Sequence, residues 1–249
     1  MESLGRVLRR ISAVQSTGPR LTRPAASSLG TEERCPRCGG QGWLRTDAPL
    51  GDAFFGKLVE CPCSIPARAN RDWFAPLRSA HLARGNQEAL AAAEAMAKAP
   101  SGWLVLHGPI GTGKTALAQA IESTIWGRER IVTPVTQLLG QWQAHVADDD
   151  FQAWFQFQCE AKFMTLDNLG RERQTPWRLD RLGACLDCRY VRHLPTVITT
   201  EYDVDQLARR LGDRPGDGDA IADRVFSTET DLVVVATLKG ASFRTGRTW

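Results

Sequence analysis

Uninterrupted apolar runs recur along the chain at Trp103–His107, Arg130–Thr133, Phe163–Asp167, Leu194–Thr200 and Asp231–Leu238. Runs of this length without polar alternation predict strands buried on both faces, as in a parallel sheet. Between them the apolar spacing is helical. Asn86 to Lys98 is alanine-rich, Leu117, Ile121 and Ile125 share one face, and Gln137 to Val146 continues the pattern. Phe151, Trp154, Phe155 and Phe157 predict a helix that is buried or faces a groove, and Leu182, Leu186 and Val191 predict another. Strands alternating with helices predict an α/β fold: a parallel sheet flanked by helices, with ligands at the C-terminal ends of the strands.

The first third of the chain reads differently. Leu4, Val7, Leu8 and Ile11 fall on one face of a short helix whose other faces carry Arg6, Arg9 and Arg10. Three readings stay open for this basic amphipathic segment: a docking helix for a partner protein, an organelle transit peptide, or a helix packed on its own domain. Ser16 to Leu29 has the serine, proline and glycine content of a linker. The boundaries expected are 1–30 for helix and linker, 31–69 for a small module, and 70–249 for the α/β domain.

Chemistry concentrates first at Gly108-Pro109-Ile110-Gly111-Thr112-Gly113-Lys114-Thr115, which fits the phosphate-binding loop G-x-x-x-x-G-K-[ST] at every fixed position. The strand before it and the helix after it are what the motif requires. Glycines let the loop wrap an anion, pointing backbone N–H groups and the positive end of the helix at phosphate. Gly108, Pro109, Gly111, Thr112, Gly113, Lys114, Thr115 and Ala116 are therefore expected to contact ATP, with Lys114 on the β- and γ-phosphates and the Thr115 hydroxyl on Mg²⁺. Phe163-Met164-Thr165-Leu166-Asp167 is an apolar strand ending in a carboxylate, the Walker B arrangement, and Asp167 is the second expected Mg²⁺ residue. In many such ATPases a second acid follows and orients the attacking water. Here Asn168 follows, and an amide cannot act as a base, which predicts slow hydrolysis with binding intact. Glu172 and Glu201 are the candidate substitutes.

Composition changes this picture in two places. The chain has 249 residues, ordinary apolar and charged fractions, and a net charge of +3, which is too small to argue for a nucleic-acid partner by itself. No apolar run approaches the roughly 20 residues of a membrane span, and no secretory signal pattern is present, so no membrane partner is expected. Seven cysteines, an odd number, beside a nucleotide loop point to a reducing interior, where paired cysteines hold metal rather than form disulfides. Cys35-Pro36-Arg37-Cys38 and Cys61-Pro62-Cys63 together offer four thiolates for a structural, tetrahedral Zn²⁺. Because the second pair is tight, His81 stands as the alternative to one of Cys61 and Cys63. A module this short can hardly build its own core, so the metal would contribute much of its folding energy. Trp43, Arg45, Phe54, Phe55 and Lys57 lie between the pairs; they read as the module's minimal core rather than as a platform for bases. Cys185 and Cys188 read as helix core, and Asp148 to Asp150 as a solvated loop.

With these elements in place, the chain resembles the DnaC/DnaI-type replicative helicase loaders, a branch of the AAA+ ATPases that includes the IstB transposition helpers. The resemblance covers nearly the whole chain. Beyond the phosphate loop it rests on the cysteine module, on Leu166-Asp167-Asn168-Leu169-Gly170, on Cys188-Arg189-Tyr190, and on Leu194-Pro195-Thr196-Val197-Ile198-Thr199-Thr200. It implies that Thr200 is the first sensor of the γ-phosphate. It also implies that Arg224 is an arginine finger acting on a neighbouring copy's ATP, and that Arg244 is the second sensor. A homo-oligomer follows from a trans arginine. The segment after Asp167 would bind single-stranded DNA, with Arg171, Arg173 and Thr175 near phosphates and Trp177 stacking on a base; packing of Trp177 on the next helix is the alternative. The implied activity is that of an ATPase that grips a DnaB-type ring helicase through its N-terminal region and places it on single-stranded DNA, in the cytoplasm of a bacterium or as a phage protein within one. A transposition helper and a zinc-containing, ATP-binding adaptor without turnover are the alternatives.

Overall fold

The computed structural model describes residues 43–45, 58–60, 71–125, 130–212, 216–228 and 231–247. The chain divides into two compact units, Met1–Cys61 and Pro62–Trp249. In the first, β1 (Trp43–Arg45) pairs antiparallel with β2 (Leu58–Glu60), Trp43 opposite Glu60 and Arg45 opposite Leu58. The sequence pattern did not foresee this pairing. Cys35, Cys38, Cys61 and Cys63, and the basic segment at residues 1–30, lie outside the described residues.

The second unit is built on a five-stranded parallel sheet in the order β4-β5-β6-β3-β7. Its strands are β3 (Trp103–His107), β4 (Arg130–Pro134), β5 (Phe163–Leu169), β6 (Thr196–Thr200) and β7 (Val233–Thr237). All five coincide with the apolar runs. Alternate residues on the central strands feed two cores. Leu104, Leu106, Val197 and Ala236 pack with Phe74 and the apolar faces of α2 (Gln87–Lys98) and α3 (Lys114–Thr124). Trp103, Val105, Met164, Leu166 and Ile198 pack on the opposite face against α4 (Val135–His145), α5 (Phe151–Cys159), α6 (Pro176–Val191), α7 (Val204–Leu211) and α8 (Asp219–Phe226). The helix α1 (Ala75–Leu82) precedes α2.

Two details of the helices depart from the periodicity. On α5, Phe151 and Phe155 are buried, but Phe157 is 66% exposed; on α6, Val191 is 76% exposed. The buried stripe of α6 is instead Leu182, Cys185, Leu186 and Arg189. Cys185 and Cys188 are free thiols, Cys185 buried as expected of helix core. Asp148, Asp149 and Asp150 are exposed at the turn before α5.

The edge that carries the chemistry is shaped by an irregularity. Leu166 pairs with Ile198 and Leu169 with Thr200, so Asp167 and Asn168 together oppose the single residue Thr199. Asn168 takes a left-handed φ of 61°. A bulge of this kind bends a strand and re-aims its side chains; here it turns Asp167 and Asn168 toward the loop after β3.

Candidate functional site

The loop after β3 closes on itself through glycines at positive φ. Gly113, at φ 95°, caps α3, and a Cβ there would lie 2.7 Å from His81 Cε1. At Gly111, φ 79°, a Cβ would lie 2.1 Å from Ser242 Oγ. No side chain fits at either position, and glycine adopts both angles without strain.

Lys114 is 5% exposed, and its ammonium donates to the carbonyl oxygens of Gly108 at 2.6 Å and Pro109 at 2.7 Å. Burial pushes its pKa down to about 8, opposed by the negative charges of Glu201 and Asp167. A buried cation resting on neutral carbonyls gains by exchanging them for an anion. One residue on, Thr115 Oγ1 donates to Asp167 Oδ1 at 2.9 Å, and Thr199 Oγ1 donates to the same oxygen at 2.7 Å. Asn168 Nδ2 donates to Asp167 Oδ2 at 2.9 Å. A hydroxyl and a carboxylate side by side form an all-oxygen donor set that fits a hard cation such as Mg²⁺, with Thr115 and Asp167 the residues that would hold it.

These groups line one cavity of about 480 Å³. Its lining combines the apolar or aromatic side chains of Pro76, Leu77, Ala80, His81 and Phe243 with Lys114, Thr115, Asp167, Asn168, Arg171, Glu201 and Arg244. Apolar lining together with a cationic, phosphate-wrapping loop suits a nucleotide, which offers a flat base and charged phosphates.

The residues singled out in the sequence fall as follows. Gly111, Gly113, Lys114, Thr115, Ala116, Asp167, Asn168 and Arg244 all line the cavity. Thr112 is fully buried behind it, its hydroxyl donating to the Pro109 carbonyl at 2.8 Å. Thr200 lies apart from these. It is fully buried, its hydroxyl donates to the Leu169 carbonyl at 2.9 Å and accepts from Tyr202 N at 3.2 Å, and it does not line the cavity. The hydroxyl that reaches Asp167 is that of Thr199, one residue earlier, because the bulge shifts the register at this point.

Arg224 lies in the last turn of α8, away from the cavity lining, ion-paired with Asp187 and 5.7 Å from the Tyr190 ring centre. In the segment after β5, Arg173 and Thr175 are exposed, and the Thr175 hydroxyl caps α6 by accepting from Arg178 N at 3.3 Å. Arg171 is ion-paired with Glu201 at 3.0 Å. Trp177, in the first turn of α6, is half-buried against the core, its ring 6.4 Å from that of Phe151. Of the two substitute acids, Glu201 lines the cavity and Glu172 does not. Glu172 is buried, accepting from Gly170 N at 2.9 Å and Gln174 Nε2 at 2.7 Å, and burial pushes its carboxyl pKa up.

Sequence reasoning did not place His81 or Phe243 in this cavity. His81, left open as a zinc ligand, is 1% exposed in the cavity wall, its ring 5.4 Å from that of Phe243. Among the described residues neither of its ring nitrogens has a hydrogen-bond partner. Burial, reinforced by Arg84, pushes its pKa below the ordinary value and keeps the ring neutral. Nothing in local spacing marks His81 as part of this wall; only the packing of α1 on the glycine loop brings it there. Among the described residues, no cluster of three or more His, Cys, Asp or Glu has the geometry of a metal site. None of their helices is long and apolar enough to cross a membrane.

No family model matches the chain. Among curated proteins it is 25% identical over 112 residues to the uncharacterized protein YqaM of Bacillus subtilis (strain 168), a match covering 42% of this chain. That alignment spans 35% of the relative's length. Among solved structures it is similar to DnaI, with 25% identity, a TM-score of 0.52, and coverage of 62% of this chain and 85% of that one. It is also similar to the DnaC helicase loader, at 20% identity and a TM-score of 0.52, over 61% of this chain and 89% of that one. The parallel sheet, the glycine loop before α3 and the Asp167 strand end, set beside these structures, give the second unit a DnaC-type AAA+ fold.

Proposed function

We propose that this protein is an ATP-dependent helicase loader, which binds a ring-shaped replicative helicase and places it on single-stranded DNA at the initiation of replication. The observation that carries this reading is the joining of two features in one cavity. Lys114, Thr115 and Asp167 form a phosphate and Mg²⁺ site, and Arg171, from the basic segment that follows β5, enters the same cavity. Nucleotide state and grip on a nucleic-acid strand thus share a wall. The likeness to DnaI and to the DnaC helicase loader supports the same role.

In this mechanism Mg²⁺ would shield the charge on the transferring phosphate. Lys114 would leave the Gly108 and Pro109 carbonyls for the β- and γ-phosphates, and Arg244, which lines the same cavity, would close on the nucleotide. Arg173, Thr175 and Trp177 would extend the strand-binding surface from Arg171. In the first unit Cys35, Cys38, Cys61 and Cys63 would hold Zn²⁺. They stand in sequence on the two flanks of the open end of the β1–β2 pair, where Trp43 faces Glu60. That module and the basic segment before it would grip the helicase.

The test is capture of the replicative helicase from the same source, together with phosphate release measured with and without single-stranded DNA. The loader reading expects capture, and release that rises with DNA. Absence of both would refute it. Asn168 favours one other reading, an ATP-binding zinc adaptor without turnover; DNA-stimulated phosphate release excludes that one.

A further inference from the structure

Among the described residues, Asp167 and Glu201 are the acids that line the nucleotide cavity. Asp167 is committed: Oδ1 accepts from the Thr115 and Thr199 hydroxyls and Oδ2 from the Asn168 amide. Asn168, at the position where a second acid would stand, spends its amide on Asp167 and has no basic atom to offer. Glu172 is buried outside the cavity on Gly170 N and Gln174. Glu201 differs from all three. It directly follows β6, the strand beside β5, and Thr200 pairs with Leu169, so Glu201 leaves the sheet just past the bulge that carries Asn168, and both line the cavity. Its side chain is 14% exposed, and its partner is Arg171, at 3.0 Å to Oε1 and 3.3 Å to Oε2.

We propose that Glu201 is the general base for ATP hydrolysis in this protein, and that Arg171 restrains it until a nucleic-acid strand draws Arg171 away. The inference rests on the loader reading above. The acid absent from the end of β5 is provided by the end of the adjacent strand, in the same cavity as Lys114 and close enough for its charge to act on that ammonium. In the chemical step a water oxygen forms a bond to the γ-phosphorus while one of its protons passes to the Glu201 carboxylate. The bond from the γ-phosphorus to the bridging oxygen breaks, its electron pair leaves with ADP, and the proton returns to the phosphate released. A guanidinium on the carboxylate occupies the oxygens that water would use. A DNA phosphate competes for the same guanidinium, because Arg171 lines the cavity yet keeps about half of its side chain exposed to solvent. Strand binding and base release are then one event.

Three proteins test this: the wild type, Glu201→Gln and Arg171→Ala. Nucleotide binding is followed by calorimetry, phosphate release by a coupled assay, and DNA affinity by anisotropy of a labelled oligonucleotide. Glu201→Gln is expected to keep ATP binding, and to bind ATP more tightly relative to ADP because a like charge near the γ-phosphate is gone. Its DNA-stimulated hydrolysis should fall by about 10²–10⁴-fold. Arg171→Ala should raise hydrolysis without DNA, remove most of the stimulation by DNA, and weaken DNA binding. If the wild type fails to bind ATP, the loader reading falls first. If it binds and hydrolyses ATP but Glu201→Gln does so at the wild-type rate, this proposal alone is overturned. An Arg171→Ala protein with unchanged basal and stimulated rates overturns the restraint.

Discussion

At the scale of the residue, the most informative side chain outside the phosphate contacts is His81. It is 1% exposed between Gly113 and Phe243, with Arg84 lying 3.6 Å from the Phe243 ring centre on the same wall. Burial and the nearby Arg84 charge lower its pKa below 6.5, and burial acts the same way on His107. In the folded state both rings are therefore less ready to take a proton than in the unfolded chain. The unfolded chain gains protons first as pH falls, so stability is lost below the unfolded value, by up to about 1.4 kcal/mol per pH unit for each ring. Urea unfolding at about pH 7.5 and about pH 5.5 should show this loss. A His81→Phe protein, matched in shape but unable to titrate, should lose less over the same interval; an equal loss in the two proteins would contradict the assignment. The same residue shows a limit of sequence reading. Its place in the wall depends on how α1 lies on a glycine loop some thirty positions away (His81 against Gly113), and no local periodicity encodes that packing. The contact of Thr199 with Asp167 was hidden for a related reason. Two adjacent threonines at a strand end are equivalent in sequence, and the bulge at Asp167 and Asn168 decides which hydroxyl meets the carboxylate.

At the scale of the element, the parts that were legible are those whose pattern is set by burial alone. The central strands β3, β5 and β6 have uninterrupted apolar runs because helices cover both faces, while the edge strands β4 and β7 leave Val132 and Val234 exposed; all five were found within a few residues of their ends. The helices that went unread, α1, α7 and α8, are each eight residues long and carry few buried positions. Over so short a span, periodicity cannot be separated from chance. Local chemistry does define α7, where Asp203 and Gln206 form a capping box. The long helix α6 is anchored by a residue that hydrophobic patterning would put outside. Arg189 is fully buried, and its guanidinium donates to Thr196 Oγ1 at 2.9 Å and to the carbonyls of Cys159 at 2.9 Å, Ala161 at 2.8 Å and Pro195 at 2.6 Å. It fastens the end of α6 to the end of α5 and to the strand that delivers Thr199 and Glu201. Burial lowers its pKa to about 10, so it stays charged at neutral pH. Arg189→Lys retains the charge but cannot reach four acceptors in a fork. The loss expected is about 3 kcal/mol or more, from charged hydrogen bonds broken and carbonyls left without a donor. The unfolding midpoint in urea measures it, and a midpoint equal to that of the wild type would deny the residue this anchoring role.

At the scale of the whole molecule, the site within one chain lacks an arginine supplied by a neighbour, if the trans role implied for Arg224 holds. Arg224 does not line the cavity of its own chain; it is spent on Asp187, whose side chain is 55% exposed, and stands over Tyr190. An ion pair so exposed is worth little, about 1 kcal/mol or less, so releasing Arg224 to a neighbouring copy costs little. The decisive experiment separates the two halves of a shared site. Lys114→Ala keeps Arg224 but cannot grip phosphate, and Arg224→Ala keeps the phosphate loop but has no arginine to lend. Each variant alone should hydrolyse ATP poorly in the presence of single-stranded DNA. Mixed together, they should recover a sizeable part of the wild-type rate, because an intact loop on one copy can meet an intact arginine on the next. Recovery should rise with total protein concentration, as an assembly requires. A mixture no faster than the sum of its components, with Arg224→Ala alone at the wild-type rate, would show that each chain completes its own site.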